Sequence, residues 1–106
     1  MDKQYLSRPE TVRVTLSDEV VAHVLWHFGE RWYGREPGSF TKHLLRAFGA
    51  SDRENRAKLT EAFPEYGTAF ELAALQTWGM GYLLCLAKGA EADAQNQLAF
   101  PAEDAA

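Results

Sequence analysis

Residues 11–16, Thr-Val-Arg-Val-Thr-Leu, alternate polar and apolar side chains with β-branched residues at most positions, the pattern of a short strand with one buried face. Val12, Val14 and Leu16 are expected to face inward, and Thr11, Arg13 and Thr15 outward. The period then lengthens. Thr15 or Ser17 suits the N-cap of a helix with Asp18 and Glu19 in its first turn, where carboxylates favour the positive end of the dipole. Helical spacing places Val20, Val21, Val24, Leu25, Phe28 and Trp32 on one broad face, so the helix is expected to run to about Tyr33 and stop at Gly34. Trp26 and Tyr33 fall nearly opposite, beside Ala22 and Gly29.

Arg35-Glu-Pro-Gly38 breaks the pattern, and Ser39 opens a second helix to about Phe48 with Phe40, Leu44, Leu45 and Phe48 as its core stripe; Gly49 ends it. Ser51-Asp-Arg-Glu54 reads as a capping box for a third helix carrying Leu59, Ala62 and Phe63. Pro64 suits the first turn of a fourth helix, continued by Tyr66, Ala69, Phe70 and Ala73. Thr77 to Gly81 is expected to kink or divide the C-terminal helical region before Tyr82 to Ala87. From Gly89 onward the Ala, Asp, Glu, Gln and Asn content predicts a mobile tail. The expected organisation is a flexible arm over 1–10, one helical domain over 11–88 and a tail over 89–106. The fold class is mainly α, with four to five helices and one short N-terminal β-strand. A lone strand leaves backbone groups unpaired, and pairing it across a homodimer is an economical remedy.

With 106 residues, 46% of them hydrophobic, the chain fits one domain with a modest core. The net charge of −4 argues against generic polyanion binding and leaves room for local basic patches. Cys85 stands alone, with no second cysteine for a disulfide or a thiolate metal site, which suits a reducing compartment. Met1 to Glu10 has no apolar run of the secretory kind, so a cytoplasmic location is expected. The stretch from Ala69 to Ala87 approaches the length of a membrane span, but Glu71, Gln76 and two glycines interrupt it, and buried helices are expected instead of a membrane partner.

Chemistry is sparse. His23 and His27 have the i, i+4 spacing of helical zinc ligands, with Glu30 on the same flank, yet Val24 stands where the metalloprotease pattern requires a glutamate. A solvated flank is the expected reading, with His43 a third nitrogen only if the second helix folds back. Gly79-Met-Gly81 lacks both the third glycine and the preceding strand of a dinucleotide loop. Serines and threonines fall mainly at caps and Cys85 lies in an apolar run, so no nucleophile is paired with a base. No catalytic residue, metal or cofactor is expected, and the chain is expected not to be an enzyme. Trp26 and Tyr33, with Glu30 beside them, are the expected partner-binding residues, because a helix with one apolar face has no reason to place large aromatics on the other unless something covers them. That cover is either the chain's own C-terminal helices or a partner.

The strand at 11–16, the helix beginning Ser17-Asp-Glu-Val-Val, the turn from Gly34 to Ser39 and the helix from Phe40 to Phe48 together resemble the ribbon-helix-helix (Arc/MetJ-type) repressors. The resemblance implies a homodimer whose paired strands enter the DNA major groove, with Thr11, Arg13 and Thr15 reading bases and Ser39 at a phosphate. Pro37-Gly-Ser-Phe-Thr-Lys-His-Leu-Leu-Arg-Ala-Phe48, Ala50-Ser-Asp-Arg-Glu-Asn-Arg56 and Ala62-Phe-Pro-Glu-Tyr66 are similar to small uncharacterised proteins of actinobacterial phages. That resemblance implies an accessory protein that binds another macromolecule, foremost a host or phage protein; a DNA-binding transcriptional regulator is the alternative.

Overall fold

The computed structural model describes Val12 and residues 14–99, and among these the protein is mainly helical, with no strand. Residues 15–17 are extended to irregular rather than part of a ladder, yet Val12 is buried, Leu16 packs on the core and Thr15 is exposed. At Val12, Thr15 and Leu16 the inward and outward sense read from the alternation is kept, with no strand among the described residues. The arm over 1–10, Thr11, Arg13 and residues 100–106 lie outside the described residues.

Helix α1 (Asp18–His27) opens at Ser17, whose Oγ accepts the Val20 N–H at 3.3 Å. The Ser17 N–H itself donates to Glu65 Oε1 at 2.8 Å, fastening this end to a later helix. The expected continuation to Tyr33 does not form. Gly29 takes φ +92°, its N–H donates to Trp26 O and the Glu30 N–H to Leu25 O, both at 3.0 Å, which are the paired bonds of a Schellman end. Gly29, and not Gly34, therefore ends the helix. The chain then returns along α1 until the Arg35 N–H reaches Ala22 O at 3.0 Å. Gly34 serves this return differently: a Cβ there would lie 2.7 Å from Trp26 N, an approach only glycine permits.

Helix α2 (Ser39–Ala50) extends slightly beyond the expected Phe48. The expected capping box at Ser51 is replaced. Ser51 Oγ donates to Phe48 O at 2.7 Å, finishing α2, and Asp52 Oδ1 accepts the Asn55 N–H at 2.8 Å to open α3 (Arg53–Ala62). Helix α4 (Pro64–Leu75) starts on Pro64 as expected. The break at Gln76 to Trp78 leads into α5 (Gly79–Ala99), which continues as helix through Gly89, where the composition suggested a tail. Among the described residues no helix is long and apolar enough to cross a membrane.

Helix α1 packs on α2, α4 and α5. Val21, Val24 and Leu25 meet a core completed by Leu44, Leu45, Phe48, Ala69, Phe70, Leu72, Tyr82 and Leu83. Phe70 is its aromatic hub, with Phe28 at 5.2 Å, Phe48 at 5.6 Å and His27 at 5.8 Å between ring centroids. Helix α3 buries no residue fully and leans on α4, where Arg56 Nε meets Glu71 Oε2 at 3.1 Å. Two expected core residues are not core. Trp32 is 83% exposed because the helix that would have carried it inward has already ended, and Phe40 is 64% exposed at the first turn of α2, touching only the edge of the cluster through Phe63 at 5.8 Å.

Candidate functional site

The return after α1 is fixed by its own residues. Glu30 Oε1 accepts the Tyr33 N–H at 2.7 Å and the Gly34 N–H at 3.1 Å, so the carboxylate closes the turn opened by Gly29. Sequence spacing put Glu30 on a flank with His23 and His27; the structure instead turns it onto backbone amides. Tyr33 packs partly against the core and shares a groove with Glu91 of α5. Desolvation and then the Glu91 charge push the Tyr33 phenol above its ordinary range.

Trp26 is half-buried beneath cations of its own chain. The Arg31 guanidinium lies 4.9 Å and the Lys42 ammonium 5.4 Å from the ring centroid, and Arg31 Nη1 also donates to Trp26 O at 3.1 Å. Lys42 is paired in turn with Glu36. The side of α1 opposite the core is therefore covered from two directions: Trp26 by the turn and α2, Tyr33 by α5. What stays open is Trp32, between the exposed Arg31 and Tyr33 in sequence, at the rim of a groove lined by Ala22, Gly34, Ala87 and Ala90. Periodicity missed this residue by assigning it to the core stripe. The signal that would have found it is Gly29 itself, since a helix stopped there leaves Trp32 with no face to share.

The histidines are packing residues and not a solvated flank. His23 Nδ1 and the Tyr66 hydroxyl are 2.8 Å apart with their rings parallel. His27 meets Phe28 edge-on at 5.1 Å. His43 is exposed on α2, and among the described residues no group of three or more His, Cys, Asp or Glu side chains is placed to hold a metal. Burial lowers the pKa of both His23 and His27, opposed at His23 by Glu19 and reinforced by Arg35, and reinforced at His27 by Arg46. The unfolded chain then binds more protons than the folded one below the ordinary value of 6.5. Their contribution to stability is complete above that pH and is lost as pH falls through it. Urea midpoints are expected to fall on acidification from about pH 7.5 to about pH 5.5. The double variant His23→Gln, His27→Gln should show a flatter dependence, and an unchanged slope would reject the assignment.

Of the residues implied by the ribbon-helix-helix resemblance, Thr15 is exposed just before α1, and Ser39 is the exposed first residue of α2, where Gly38 is the N-cap and supplies no side-chain bond. Cys85 is half-buried on α5 and unpaired. The chain matches no protein-family model, no curated protein and no solved structure.

Proposed function

We propose that this chain is a small non-enzymatic accessory protein of the phage or prophage type, that it works by binding another protein, and that the Trp32 turn is its contact surface. The observation that carries the reading is an indole 83% exposed on a backbone held by the Gly29, Glu30 and Arg35 bonds. An aromatic on a backbone already fixed before binding adds apolar contact with little backbone left to order, which suits an interface hot spot. Trp26, Tyr33 and Glu30 support this surface from behind: Trp26 seats Arg31, Tyr33 sets the turn beside α5, and Glu30 holds the amides. In capture from a host lysate, Trp32→Ser is expected to remove the retained protein while leaving the circular dichroism spectrum intact; Trp26→Ser and Tyr33→Ser should weaken retention through the turn's geometry. Capture that is indifferent to Trp32 would overturn the reading.

A second reading is a homodimeric DNA-binding regulator with ribbon-paired N-terminal segments. It is supported by the inward Val12 and Leu16 and the outward Thr15 immediately before α1. In that case Arg13→Ala should weaken specific DNA binding by about 1–3 kcal/mol in a titration at low salt. A complete lack of salt-dependent DNA binding at low ionic strength would remove it.

A further inference from the structure

The residues that lead into α1 have a direction. The Ser17 N–H is bonded to Glu65 Oε1 in the first turn of α4, while Val12, 2% exposed, lines a groove of about 160 Å³ with Thr68, Glu71, Leu72, Leu75 and Gln76. Helical spacing puts Thr68, Glu71, Leu72 and Leu75 on one face of the last turns of that helix. Followed backward from Ser17, the chain therefore runs along α4 from its first turn toward its end. Five residues of extended chain span about 16 Å, enough to pass the rise of about 10 Å from Glu65 to Leu72. Beyond Val12 the same course leads to the corner where α4 gives way to α5. That corner is apolar and open, with Leu75 60% and Trp78 40% exposed.

We propose that the corner of Leu75 and Trp78 is the docking site of the chain's own residues 1–11, with Tyr5 and Leu6 as the apolar anchors. Continuity selects this occupant. Val12 is fixed in the groove beside Leu75, and Leu6 precedes it by six residues, a reach of at most about 20 Å that takes in the corner. A segment held so close acts at an effective concentration on the order of millimolar, which a separate partner has to exceed. The groove has the size of a side chain and not of a helix, which suits an extended segment laid along α4. The inference is independent of the Trp32 turn. It excludes the ribbon-paired regulator, because a segment seated on its own α4 is not free to pair with a second copy.

The test places Ser7→Cys and Gln76→Cys in the full chain carrying Cys85→Ser, which leaves Tyr5, Leu6, Leu75 and Trp78 in place and removes the native thiol. A short bis-maleimide then reports, by mass spectrometry over time, how fast the two thiols are bridged within one chain. Bridging is expected to be independent of protein concentration. It should slow about tenfold or more when Tyr5→Ser and Leu6→Ser are added, because the tether keeps its length and only the apolar anchors are lost. Leu75→Ser, which alters the corner and not the segment, should slow it likewise, with the circular dichroism spectrum intact. A rate indifferent to both sets of substitutions means that the tether alone brings the thiols together, and the proposal is then wrong. Bridging between chains that grows with concentration assigns the corner to a second copy and also overturns it.

Discussion

Gly79→Ala is expected to cost about 3 kcal/mol or more, enough to leave a protein of ordinary marginal stability partly unfolded. A Cβ on Gly79 would stand 1.6 Å from Leu72 O and 2.3 Å from Leu72 C, inside covalent reach of a backbone that no rotamer change can move. Leu72 O meanwhile accepts the Gln76 N–H at 3.2 Å, so displacing it also disturbs the end of α4. Relief requires α5 to move away from α4 at the point where they join. Gly81 supplies the control. A Cβ there meets nothing within 4 Å, and Gly81→Ala on the same helix should be neutral or gain up to about 1 kcal/mol from helix propensity. Urea unfolding followed by circular dichroism compares the two. A Gly79→Ala variant as stable as the parent would contradict the close approach of α4 and α5.

Phe48→Ala should lose about 3–5 kcal/mol, since the side chain is 1% exposed and stacks on Phe70 at the centre of the core. Phe40→Ala, on the same helix and the same predicted stripe, should change stability by no more than about 0.5 kcal/mol. The pair distinguishes what periodicity finds from what packing uses. A comparable loss at both sites, measured by denaturant midpoint, would mean that Phe40 is also enclosed.

The apolar stripes of α1, α2 and α4 were legible because helical spacing repeats over several turns, and Val21, Val24, Leu25, Leu44, Leu45, Phe48 and Phe70 all lie where that spacing places them. Pro64 fixed one boundary through its own backbone chemistry. Boundaries that depended on a choice between neighbours were not legible. Gly29 and Gly34 both suit a helix stop, and the choice was made by whether the Glu30 amide could reach Leu25 O and its carboxylate the following amides. Ser51 and Asp52 both suit a cap, and Ser51 was drawn to the end of the preceding helix. The error at Gly29 carried over to the site. It made Trp32 a core residue and left Trp26 and Tyr33 as a pair to be covered by the C-terminal helices or by a partner, whereas Arg31 and Lys42 lie over the first and the second packs partly against the core beside α5. Composition alone could not reveal this, because all three aromatics lie within one short run.

The packing of α1 against α5 sets an order of assembly. Helices α3 and α4 meet through Phe63 as neighbours in the chain, so their contact closes quickly, whereas α1 must wait for all of the intervening sequence before Tyr82 and Leu83 reach it. During synthesis the apolar face of Val21, Val24 and Leu25 is left without its last cover until α5 emerges, which makes that interval the one most open to wrong association. The backbone of the Trp32 turn behaves oppositely. Its bonds all lie within residues 22–35, so the display of the indole can be built early and locally while the core beneath it is still incomplete.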